Sequence, residues 1–232
     1  MTTTPPEPSA PLPYGTPDTP RITVRGEAHL EADPELARIR VTVQARSTDR
    51  RTTLDDLTHR NTTALDLIKS YGQAVDKIET STLSLAPELT KHGRGERVRS
   101  YQGRTTLTAE LTDFTALGEL TTRLADLDLT RVDGPEWLLR RTSPVHAQAR
   151  NQAVHEAVRR AREYADALST TVAALLELSD TGKDTYTWMH HEQTRGFTGP
   201  DDEPAPALDL EPQRQHVQAT VDAVFTLHPP TL

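Results

Sequence analysis

Apolar and polar residues alternate in two clean runs near the start of the chain. From Arg21 to Glu31, Ile22, Val24, Ala28 and Leu30 alternate with polar neighbours; from Ala37 to Arg46, Ile39, Val41, Val43 and Ala45 do the same. Such period-two patterns mark strands with one buried and one wet face. Between the runs, Ala32-Asp33-Pro34-Glu35 carries a turn signal, because proline fixes its own φ and pushes its predecessor out of the helical region. The pattern predicts an antiparallel hairpin. A helical spacing follows over about 49–71, with Leu54, Leu57, Ala64, Leu65 and Ile68 as its apolar face and Gly72 placed for a left-handed C-cap.

Further along, Ile78 to Leu89 and Val98 to Leu111 read as two strands around the polar turn Lys91-His92-Gly93-Arg94-Gly95-Glu96. In the second strand Tyr101, Gly103, Thr105, Leu107, Ala109 and Leu111 share one face. Asp113 is an N-cap candidate for a helix to about Asp126, with Phe114, Leu117, Leu120, Leu124 and Leu127 as its stripe. Val132 to Leu139 is a short strand interrupted by Gly134-Pro135. Ser143-Pro144 then supplies an N-cap and a first-turn proline for a helix over about 144–169.

That helix carries Ala149, Ala153, Ala157, Ala161 and Ala165 at i+4 spacing, a row of small residues that lets it lie close to its neighbour. Val172 to Leu178 is another strand. Residues 179–214, rich in Gly, Pro, Asp and Glu, are too long for an ordinary connection. Val217, Ala219, Val221, Ala223, Phe225 and Leu227 close the chain as a strand that returns to complete a sheet. The order ββαββαβαββ is an α+β fold of mostly antiparallel sheets backed by three helices.

Composition narrows the function classes. With no cysteine there are no disulfides, thiolate nucleophiles or cysteine metal sites. The net charge of −8 argues against nonspecific binding to nucleic acid or anionic membranes, and no apolar stretch approaches the roughly 18 residues that span a bilayer. Residues 1–20, with seven prolines and no basic start or apolar core segment, read as a disordered Thr/Pro tail rather than an export signal. The expected domain then covers 21–228, and the expected compartment is the cytoplasm.

Several phrases, in this order, resemble the SIMPL-domain family, named for a signalling molecule associated with a pelle-like kinase. They are Val24-Arg25-Gly26-Glu27-Ala28 with Ala32-Asp33-Pro34-Glu35-Leu36-Ala37, Ile78-Glu79-Thr80-Ser81 running to Leu85-Ala86-Pro87, and Tyr101-Gln102-Gly103 through Leu107. Leu117-Gly118-Glu119-Leu120, Val132-Asp133-Gly134 and the Ala-rich helix complete the set. The resemblance implies no agreed enzymatic activity and no catalytic motif to carry over. It implies mostly bacterial, usually exported relatives, some linked to oxidative-stress tolerance and at least one forming a large ring- or channel-shaped homo-oligomer. The Thr/Pro tail stands here where such relatives carry an export signal.

Candidate chemistry is sparse. His190 and His191, with Glu192 and the acids Asp201, Asp202 and Glu203, have metal-ligand types but no evident preorganisation. Trp188, Met189 and Phe197 in the same segment suit a docking loop. Arg94, Arg97 and Arg99 beside two glycines suit an anion contact, although Gly-x-Gly between two strands is not a dinucleotide fingerprint. Ser143 near His146 reads as a helix cap, and Asp33, Glu35, Asp55 and Asp56 fall in turns or on helix surfaces. No catalytic residue and no cofactor is expected. The leading expectation is a non-enzymatic homo-oligomeric scaffold or binding protein that acts in stress response and takes an unknown protein partner, without nucleic acid or membrane insertion. The alternatives are a small-ligand binder or enzyme with a pocket between two sheet–helix halves, and a metal-binding accessory protein using His190 and His191.

Overall fold

The computed structural model describes residues 15–89, 97–181 and 208–231. Their elements are β1 (Arg21–Ala32), β2 (Leu36–Ser47), α1 (Arg50–Ser70), a 3-10 turn (Gly72–Ala74), β3 (Val75–Leu89), β4 (Val98–Leu111), α2 (Phe114–Ala125), β5 (Thr130–Leu138), α3 (Pro144–Ala167), β6 (Val172–Asp180) and β7 (Gln215–Leu227). The expected order ββαββαβαββ is the observed one. The chain divides into two compact units: residues 15–32, 142–181 and 216–231 form the first, and 33–89, 97–141 and 208–215 the second.

The second unit is an antiparallel sheet in the order β3-β4-β2-β5 with α1 and α2 on one face. Its core follows from alternation: Ile39, Val41, Val43 and Ala45 of β2 with Leu107, Ala109 and Leu111 of β4 meet Leu57, Ala64 and Ile68 of α1 and Leu117, Leu120 and Leu124 of α2. Each buried Leu or Ile contributes about 1.5–3 kcal/mol relative to exposure. Phe114 and Trp137 close one end edge to face, their ring centroids 4.9 Å apart. Asp49 and Asp113 cap the two helices, accepting from the backbone N–H of Thr52 and of Thr115 and Ala116. Gly72 has φ +54°, the left-handed residue expected after α1. β3 and β4 form the expected second hairpin.

Two expectations are corrected. The first two strands are not a hairpin: β1 pairs with β7, whereas β2 pairs with β4 on one side and β5 on the other. A strand has two edges, and both edges of β2 are taken. Its entry is fixed on β5, where the Glu35 N–H donates to the Leu138 carbonyl and the Glu35 carboxylate accepts from the Arg140 N–H. Leu54, expected in the α1 core, is 44% exposed. Thr53 turns inward instead, its hydroxyl donating to the Asp49 carbonyl at 2.8 Å, because the buried line runs Thr53, Leu57, Ala64, Ile68.

The segment returning towards β7 packs on α2. Gly118 lies against the Leu208 backbone so closely that a Cβ there would overlap the Leu208 carbonyl, and Leu210 packs against the core.

The first unit is a sheet in the order β1-β7-β6 with α3. All five alanines of the α3 row are fully buried. They seat on β1 at Gly26, where a Cβ would overlap the Ala153 carbonyl and press on Ala157. The helix ends in a Schellman motif: Ser169, at φ +53°, donates its N–H to the Asp166 carbonyl and Thr170 donates to the Ala165 carbonyl.

Ala157→Leu forces three methylene-equivalents into this seam and is expected to destabilise the protein by about 1–3 kcal/mol; an unchanged urea midpoint would refute the seating. For Gly118→Ala, the roughly 1 kcal/mol gain in helix propensity is opposed by displacement of residues 208–210. The expected readout is faster hydrogen exchange in that segment with no net gain in melting temperature.

Candidate functional site

The functional candidate grows out of how α3 sits. A helix narrow enough to press on Gly26 covers the β1 end of its sheet, and among the described residues the β6 end is left open. β6 reads Val172-Ala173-Ala174-Leu175-Leu176-Glu177-Leu178-Ser179-Asp180, and Leu175, Leu176 and Leu178 are 52%, 39% and 47% exposed. Its pairing with β7 sets the faces. Leu175 stands opposite Phe225 and Leu178 opposite Ala223, whereas Ala174 and Glu177 stand opposite Thr226 and Val224 on the alternate face; Ala223, Val224 and Phe225 are all buried. Close in sequence to β6, Tyr164 of α3 and Leu168, its C-cap residue, are exposed. The turn from α3 into β6 is tied down, since the Thr170 hydroxyl donates to the His228 carbonyl and the His228 N–H to the Thr171 carbonyl. This end of the unit is therefore a fixed, apolar, solvent-facing surface.

Ion pairs hold the opposite edge. Arg25 of β1 makes a two-pronged contact with Asp222 of β7, 2.9 Å from Nε to Oδ1 and 3.3 Å from Nη2 to Oδ2. Hydrogen bonding from Arg25 holds the Asp222 carboxyl below its ordinary range, and the Arg25 guanidinium is raised in turn. On α3, hydrogen bonds from Arg159 and Arg160 lower Glu156.

Shallow grooves lie on the described part of the second unit. One, about 510 Å³, lies beside α1 and the turn after α2 and is lined by Asp56, His59, Arg60, Thr63, Asp126 and Asp128 among others. Arg60 there donates to the Asp128 carbonyl at 3.0 Å. Another, about 250 Å³, is lined by Lys69, Gly72, Val75, Asp76, Lys77 and Ile78. Among the described residues, no group of three or more His, Asp or Glu side chains is arranged to hold a metal ion.

Of the side chains singled out from sequence, Trp188, Met189, His190, His191, Phe197 and Arg94 lie outside the described residues. Arg97 and Arg99 are exposed at the start of β4. Arg99 acts on Glu88, whose carboxyl is lowered first by a hydrogen bond from the Ser100 hydroxyl and further by Arg46 and Arg99. Ser143 takes the N-cap position of α3 and is buried. Asp33 accepts from Arg214 at 3.2 Å, and Glu35 joins β2 to the end of β5. Asp55 and Asp56 are exposed on α1. The β6 leucines with Tyr164 and Leu168 were not singled out. A continuous apolar run reads the same whether its strand is central or at an edge, and the single internal charge, Glu177, was the one available signal.

With this arrangement in place, comparison defines the class. A family model described as SIMPL, protein of unknown function (DUF541), matches residues 22–225, which span both units. The chain belongs to the SIMPL family. No curated protein matches it. No described helix is long and apolar enough to cross a membrane.

Four carboxylates, Asp49, Glu88, Glu156 and Asp222, have folded pKa values below their ordinary ones, Asp49 chiefly through the Thr52 backbone N–H. A depressed carboxylate contributes stability that is fully present above its unfolded value and is lost as pH falls through the folded one. Stability is expected to decline as pH drops below 4.5 for the two glutamates and 3.8 for the two aspartates. Asp222→Asn should flatten the most acidic part of that decline; identical urea-midpoint profiles for the two proteins would rule out the Arg25 pairing.

Proposed function

We propose that this SIMPL-family chain is a non-enzymatic, self-associating scaffold or binding protein. The observation that carries the reading is the apolar end of the three-stranded sheet that no described residue covers, with three exposed leucines on one short strand and Tyr164 and Leu168 close in sequence to it. Burying such a surface against a second protein is favourable by roughly 25 cal/mol per Å² of apolar area before the costs of association. Exposed residues of this kind, grouped rather than scattered, mark interaction sites. A reducing, cytoplasmic setting, which a cysteine-free composition suits, and a part in stress tolerance, from the family resemblance, belong to the same proposal.

Light scattering coupled to size exclusion tests the reading, on the full chain and on a form lacking residues 1–20. The expected result is one species at several times 25.7 kDa for both forms. The double variant Leu175→Glu/Leu178→Glu is expected to lower that mass to half or less with an unchanged circular dichroism spectrum, because both positions are exposed. A wild-type mass of one chain at high protein concentration would sink the proposal.

A further inference from the structure

A sheet edge presents a row of unpaired N–H and C=O groups, and proteins blunt such edges with proline, charge, bulges or short length. The two sheets here have four edges. β3 carries Lys77, Glu79, Pro87 and three register shifts against β4. β5 carries Arg131, Asp133 and the Gly134-Pro135 break, and β1 carries Arg21, Arg25, Glu27 and Glu31. β6 is different. Val172, Ala173, Ala174, Leu175, Leu176 and Leu178 make it mostly apolar, it holds no proline and no basic residue, and its acids Glu177 and Asp180 sit in its C-terminal half. Its register shifts, between Val172 and Ala174 and between Leu175 and Glu177, change its twist but add no charge. Among the described residues no strand pairs with its outer edge.

We propose that two copies of this chain pair antiparallel along β6 about a two-fold axis near Leu175 and Leu176, so that each three-stranded sheet continues into the other. The inference rests on the self-associating reading above and specifies its contact. The placement of charge selects the direction. Antiparallel pairing about that axis sets Glu177 of one copy opposite Ala174 of the other and leaves Asp180 beyond the paired stretch. Parallel pairing in register sets Glu177 on Glu177 and Asp180 on Asp180, and like charges directly opposite are destabilising. The same register sets Leu175 of one copy against Leu176 of the other and Leu178 against Ala173, so that apolar residues meet apolar residues across the seam. Such a contact is isologous and closes on itself, so the assembly has an even number of chains and anything larger than a dimer uses a second surface.

The absence of cysteine makes the test clean, because one introduced thiol is the only thiol in the chain. Leu176→Cys and Asp180→Cys are oxidised in parallel with copper–phenanthroline and run on non-reducing gels, with the solution mass of each measured beforehand. The expected outcome is a covalent dimer for most of the Leu176→Cys protein and almost none for Asp180→Cys, whose two thiols would lie ~30 Å apart at about 3.3 Å per residue. A multimer by light scattering that gives no cross-link at position 176 would overturn β6 pairing while leaving self-association standing. Equal cross-linking at the two positions would overturn it as collisional. A single-chain mass would remove both proposals together.

Discussion

The close approach of α3 to β1 at Gly26 governs the first unit. Helix and strand can come together there because the helix presents only alanines and the strand has no side chain at the contact. Dense packing of small groups replaces the larger residues that would hold a helix further from the sheet. A helix drawn in over β1 covers one end of a three-stranded sheet, and the other end keeps its apolar strand in solvent. The exposed leucines of β6 are in this sense a consequence of the alanine row. A bulkier seam would hold the helix higher and shield a wider span.

The second unit solves the covering problem differently. It lays two helices on one sheet, with larger side chains at the contact: Leu57 and Ile68 from α1 and Leu117, Leu120 and Leu124 from α2. Its outer strands are blunted by charge, proline and changes of register. The chain enters this unit after β1, where Glu35 fastens β2 to β5, and passes back along α2, where Gly118 makes room for the Leu208 backbone. Both passages are fixed by backbone contacts, which side-chain patterning does not report.

Much of the fold was legible because alternation and i+4 spacing are local. The start of α2 followed from Asp113, whose carboxylate satisfies the first backbone donors; Asp49 caps α1 in the same way, a role that the spacing alone did not announce. The alanine row announced a close contact but not its partner, since Gly26 is an ordinary strand glycine until the helix is set on it. Pairing was the weak point. The runs at 21–31 and 37–46 are both strands, and their nearness in sequence suggested a hairpin, but the choice of partner is made by distant residues 105–138 and 217–227. The candidate interface was hidden for the same reason, because Leu175 and Leu178 differ from buried strand leucines only in lying on a strand that, among the described residues, is paired on one side. The chemistry-bearing residues of 188–197 lie outside the described residues, and sequence remains the basis for reading them.

The chain belongs to a family described as of unknown function, and the physical claim made for it is about a surface. Hydrogen exchange followed by mass spectrometry over a wide range of protein concentration measures that surface directly. Covering of the β6 edge predicts that amides in 172–180 become more protected as concentration rises, while those of α1 and β4 do not change. Exchange in 172–180 that is fast and independent of concentration would contradict the account.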